Sequence, residues 1–201
     1  MSNLVDYIAW RGDLTLSQVP FNDVDAMLFA QLSYYGFDGV VPDTWSESIL
    51  MKDACAHNIL DPLPHYCKKG DLEIQKLLQS RERYANLQLC GFQNRIDEVQ
   101  EKQFCALTIR LDKNLYYVSF RGTDDSLIGW KENMKLSYNM KLASHDAALA
   151  YLKQVTKEMH GKMVIGGHSK GGNLAFYASA FSPQYVSKKI QQIYNFDGPG
   201  L

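Results

Sequence analysis

The chain has 201 residues, 46% of them hydrophobic and 21% charged, with a formal net charge of −1. This composition fits one globular domain with a real core, excludes a disordered chain and argues against a nucleic-acid partner. The opening MSNLVDYIAWRGDL lacks the basic and then apolar regions of a signal peptide, and no apolar run reaches membrane-spanning length. The expectation is a soluble, cytoplasmic protein.

The first part, residues 1–90, reads as mostly helical and the rest, 91–201, as sheet-bearing. Asn22 caps a helix whose apolar face is Val24, Met27, Leu28, Leu32 and Tyr35. A second stripe, Trp45, Ile49, Leu50 and Ala54, predicts a helix over 45–57. A third, Leu72, Ile74, Leu77, Leu78 and Tyr84, predicts one over 71–85. The period then changes. QFCALTIRL (103–111) and LYYVSF (115–120) read as strands joined by a turn at Asp112-Lys113-Asn114, a hairpin. A helix over 144–160 turns Ala147, Tyr151, Val155 and Met159 inward. A strand–helix–strand unit follows, ending in IQQIYNF (190–196), and such spacing builds parallel pairs.

Four cysteines, Cys55, Cys67, Cys90 and Cys105, show no C-x-x-C and read as free, partly buried thiols. Cys55 and His57, with His65 and Cys67, bring two thiols and two imidazoles into one segment. Their one-residue internal spacing is shorter than in usual zinc pairs, so ordinary helix-end and loop roles are preferred and no metal is expected.

The most informative stretch is KMVIGGHSKGGNLAF, residues 162–176. A β-prone run enters Gly167-His168-Ser169-Lys170-Gly171, and an apolar helical pattern follows. This is G-x-S-x-G in strand–turn–helix context. The turn is tight enough that residues two before and two after Ser169 must be small, hence Gly167 and Gly171. Ser169 is expected to have positive φ and to stand at the carboxyl end of its strand. There the following helix aims its free N–H groups, and a nearby base would make the hydroxyl a nucleophile.

Phe120-Arg121-Gly122-Thr123 ends the hairpin at the same sheet edge and offers a backbone N–H and a hydroxyl there. F-R-G-T followed by Trp130 resembles the F-R-G-[ST] segment of the class 3, fungal-type lipases. The opening YIAWRGDL…PFNDVDAMLFAQLSY, the segment FRGTDDSLIGWKENMKLSYNM and the run GGHSKGGNLAFYAS together look like an uncharacterised bacterial family of lipase-3-like α/β hydrolases, over nearly the whole chain. The resemblance implies a single α/β-hydrolase domain over 1–201, with a mixed, mostly parallel sheet flanked by helices. It implies Ser169 as nucleophile, Thr123 and the Lys170 N–H as oxyanion donors, and Trp130 in a lid-bearing stretch. His168 matches the G-H-S of many lipases, where it has no triad role.

Bottom-up, Arg121 reads as one half of an ion pair that fixes its loop. Asp124 and Asp125 read as residues before a helix. Trp130, Met134, Leu136, Tyr138 and Met140 read as core, with an acyl-binding surface as the alternative. The triad on this fold runs Ser, acid, His, yet no histidine follows Ser169. Asp197, in Asn195-Phe196-Asp197-Gly198-Pro199-Gly200, is either the acid or part of a plain turn. His145 is the internal candidate base. The chain therefore reads as incomplete at its C-terminus, with a raw sheet edge through which two copies can dimerise. The expected function is ester hydrolysis on an acyl ester or lipid, without cofactor or metal. The alternative is an α/β-hydrolase-fold binding module that lacks its base.

Overall fold

The structure, a computed structural model, describes residues 3–57, 59–64, 67–136, 138 and 141–201. In chain order the elements are α1 (Leu4–Arg11), α2 (Asp23–Leu32), β1 (Ile49–Leu50), α3 (Met51–Ala54), α4 (Lys69–Ser80), α5 (Glu82–Ala85), β2 (Gln88–Asp97), β3 (Lys102–Asp112), β4 (Leu115–Phe120), α6 (Leu127–Lys135), α7 (Ala143–Glu158), β5 (Lys162–His168), α8 (Lys170–Ala180), α9 (Gln184–Ser187) and β6 (Ile190–Phe196). The described strands form one sheet in the order β1-β2-β3-β4-β5-β6.

The fold class is mixed α/β. The sheet is not mostly parallel, as the resemblance implied. β1 to β4 run antiparallel to their neighbours, and only β4–β5 and β5–β6 are parallel. The extra antiparallel strand is β2, QLCGFQNRID, which alternation hides. A bulge between Cys90 and Gln93 breaks its register, and Gly91 sits there with φ +61. The sheet thus begins before residue 91.

Successive side chains point to opposite faces. Tyr117 and Val164 enter one core, with Phe29, Leu32, Tyr84 and Leu107. Val118, Phe120 and Ile165 enter the other, with Tyr151, Leu152, Val155 and Leu174. Burying a ring such as Phe29 contributes about 2–3 kcal/mol.

The helix expected over 45–57 is only α3, preceded by β1. Trp45 belongs to the second core, where its Nε1–H donates to Thr108 Oγ1 at 3.1 Å, while Met51 and Ala54 belong to the first. The segment crosses the sheet edge, and one helix cannot serve both faces.

Asn22 caps α2 as expected, its Oδ1 accepting the N–H groups of Val24 and Asp25. The buried stripe differs: Met27 is exposed, and Asp25 is buried. Asp25 is tolerated because Arg83 grips both its oxygens at 2.9 and 2.5 Å, and the Tyr84 hydroxyl donates to it at 2.8 Å. Removing one partner of such a buried pair costs about 3–5 kcal/mol.

Candidate active site

β5 delivers Ser169 between β4 and β6. Phe120 pairs with Gly167, and His168 with Phe196, so three strand ends meet at one edge. Ser169 has φ +54 and ψ −129, a region that non-glycine residues avoid. Its N–H donates to the Phe196 carbonyl at 2.9 Å, so the end of β6 holds the turn. The Ser169 hydroxyl makes no hydrogen bond among the described residues.

Close backbone approach locks this geometry. A Cβ on Gly167 or Gly171 would collide with the Phe120 carbonyl oxygen, and one on Gly122 with the His168 carbonyl and the Tyr34 hydroxyl. The Phe120–Gly122 backbone therefore lies directly against the elbow. Thr123 comes next, and its Oγ1 is buried with no hydrogen-bond partner. An orphaned buried hydroxyl costs roughly 1–3 kcal/mol.

The Arg121 ion pair is present: its Nη2 lies 3.0 Å from Asp124 Oδ2 and donates to Asn94 Oδ1 at 2.7 Å. Asp124 serves this pair and also accepts the N–H of Ser126, the residue that caps α6. Trp130, Met134 and Tyr138 are not core. They are exposed on and just after α6. Met140 lies outside the described residues.

Lys170 opens α8, and as its first residue it has a backbone N–H without an intrahelical partner. Its side chain turns inward and is fully buried. Nζ donates to Gln103 O at 2.8 Å, Gln103 Oε1 at 2.6 Å and Glu132 Oε2 at 2.7 Å. Burial lowers the pKa of this ammonium, with Glu132 opposing the shift.

The histidines stand elsewhere in role. His168 is exposed, and its Nδ1 lies 3.1 Å from the Tyr34 hydroxyl. His145 is buried beside α8, but both of its nitrogens are occupied. Nδ1 accepts the Leu142 N–H at 2.9 Å, and Nε2 lies 2.7 Å from Asn173 Oδ1. Its ring stacks on Tyr177 at 3.9 Å, and burial lowers its pKa. His145 is therefore not placed as a base for Ser169. Asp197 is exposed with φ +54, in a turn where Asn195 Oδ1 accepts the Gly198 N–H. The segment bends at Asp197, and no described histidine contacts its carboxylate.

Cys55 and Cys67 are buried thiols whose pKa burial pushes up to about 12, and the described residues hold no metal-binding cluster. His65 of the sequence-level cluster lies outside the described residues. A groove of about 640 Å³ opens beside the elbow, its lining including His168, Phe196 and Asp197 and the apolar Leu4, Met27 and Ile74.

The Mbeg1-like family model matches residues 78–201, more than half of the chain. The chain belongs to the Mbeg1-like family. The matched span runs from the end of α4 through β6, so every residue named at the elbow of this Mbeg1-like protein except Tyr34 lies inside it. No curated protein and no solved structure matches the chain. No described helix is long and apolar enough to cross a membrane.

The sequence reading did not reach Tyr34, Gln103, Glu132 and Asn173. Asn173 had a local signal, being the first residue with a side chain after the paired glycines of the elbow.

Proposed function

We propose that this Mbeg1-like protein is a serine ester hydrolase on an α/β-hydrolase-like scaffold. The observation that carries the reading is Ser169 at φ +54, with its hydroxyl free, against a loop that holds an orphaned Thr123 hydroxyl. Strain and an unpaired donor at one sheet edge both cost stability. Both acquire a use if an acyl carbonyl binds there.

In the proposed reaction Ser169 Oγ attacks the acyl carbonyl carbon, and its proton leaves to a base. The carbonyl oxygen takes negative charge opposite the Lys170 N–H and Thr123. The tetrahedral adduct then expels the alcohol, which takes up the proton, and water later hydrolyses the acyl-serine. The acyl portion lies in the groove lined by Leu4, Met27 and Ile74, whose apolar walls suit a hydrocarbon chain.

A second reading, a binding module without turnover, draws on one observation: both ring nitrogens of His145 are engaged. An alkyl fluorophosphonate tests the two. In the hydrolase reading intact-mass analysis finds one phosphonyl adduct, mapped to Ser169 and absent from Ser169→Ala. No adduct, with the probe still bound reversibly, supports the module.

A further inference from the structure

We infer that Lys170, Glu132 and Gln103 act as positioning residues: their buried network sets where the Lys170 backbone N–H stands relative to the Ser169 hydroxyl. The inference rests on the serine-nucleophile reading above and assigns that site its support.

Ahead of Asn173, which meets His145 and the Gly200 carbonyl, the start of α8 has few side-chain anchors. Ser169 is strained, and Gly171 and Gly172 have no side chains. The glycines permit close approach to Phe120 and Asn195 but supply no grip. Lys170 is the first residue of the helix that reaches into the protein, and its side chain is fully buried. All three of its ammonium donors are taken, two by Gln103 and one by Glu132. An ammonium with three filled donors is fixed in direction as well as in position.

The anchor is itself anchored. Glu132 Oε2 also accepts the Gln103 N–H at 3.0 Å, and Glu132 Oε1 accepts the Ser144 N–H at 3.1 Å. One carboxylate thus joins the start of β3, the helix α6, the N-terminal turn of α7 and the N-terminus of α8. An apolar pair of similar volume would avoid the cost of burying two charges, but it would leave the Gln103 and Ser144 N–H groups without their acceptor. What an apolar pair lacks is direction. That matters at a residue whose N–H the proposed function sets opposite the developing oxyanion, since such a donor must be in place before charge develops.

The test uses the full chain and a long-chain alkyl fluorophosphonate, with Ser169 adduct followed by intact mass and unfolding by melting temperature. The double variant Lys170→Met/Glu132→Leu keeps the backbone N–H and removes both charges together. It should melt below wild type, because the Gln103 and Ser144 N–H groups lose their acceptor, and the rate is compared where both proteins are folded. Its maximal phosphonylation rate should fall roughly tenfold or more, with little change in the probe concentration giving half that rate. Gln103→Leu removes one acceptor and keeps the ion pair, which keeps the test decisive if the double variant does not fold. It should lose about threefold, with a modestly lower melting temperature from the ammonium N–H left without its acceptor. Unchanged rates in a folded variant overturn the positioning role and leave the nucleophile reading intact. No Ser169 adduct in the wild type overturns the nucleophile reading, and the positioning role with it.

Discussion

Nε2 of His145 lies 2.7 Å from Oδ1 of Asn173, and the Asn173 Nδ2 donates onward to the Gly200 carbonyl at 2.9 Å. The amide orientation makes Nε2 the protonated nitrogen, while Nδ1 accepts the Leu142 N–H. His145 is thus a neutral bridge between the start of α7, the elbow helix and the segment after β6.

Protonating that bridge should weaken the fold. Burial lowers the His145 pKa below its usual 6.5, so the unfolded chain takes up a proton at higher pH than the folded one. The associated stability is fully present above about pH 6.5 and is lost as pH falls toward the folded value. Wild-type melting temperature should therefore drop more steeply between pH 7 and 5.5 than that of His145→Gln. Parallel slopes in the two proteins would remove the assignment.

Thr123→Val should separate stability from reactivity. The substitution removes a buried hydroxyl that has no partner, so melting temperature should stay level or rise slightly. If the hydroxyl is an oxyanion donor, the Ser169 phosphonylation rate should fall by about ten- to a hundredfold. Unchanged labelling would leave only the Thr123 N–H for that role.

Ser169 itself holds strain. Glycine adopts φ +54, ψ −129 without the Cβ clash, whereas alanine does not. Ser169→Gly should be more stable than Ser169→Ala by about 1–2 kcal/mol in urea unfolding. Equal stabilities would mean that the elbow is relaxed.

Gly171→Ala should be among the most damaging single changes in the chain. The added methyl meets the Phe120 carbonyl, backbone against backbone, with no flexible side chain to yield. A loss above about 3 kcal/mol is expected, and soluble yield and urea midpoint report it.

The thiols should be silent in the native state. Cys55, Cys67 and Cys105 are buried with pKa values pushed to about 12, so the reactive thiolate is scarce at pH 8. Iodoacetamide should alkylate them only at the rate of unfolding. Fast native alkylation of any of the three would show that its cover opens.

The elbow was readable because its constraints are local: Gly167 and Gly171 flank Ser169 within five residues. The hairpin and β6 were readable from alternation. The support of the site was not. Lys170 meets Glu132 across 38 positions and Gln103 across 67, and Tyr34 meets His168 across 134. Nothing near Glu132 separates it from a solvated helix acid, yet it is buried. β2 was missed for a related reason, since a bulge at Gly91 shifts the alternation midway. His145 looked like a base because it falls near the right edge. Only its two filled nitrogens reveal otherwise.

The order of strands across the sheet is the order of strands along the chain. Each strand from β2 onward finds its hydrogen-bonding neighbour already synthesised when it leaves the ribosome. The sheet can extend one strand at a time, with no late insertion between earlier pairs and with short loop closures from β2 to β3 and from β3 to β4. The parallel steps come last, each waiting for intervening helices to fold back. They are also the pairings that bring Phe120, Ser169 and Phe196 together. The strained elbow is therefore completed last, on a scaffold already able to bear it.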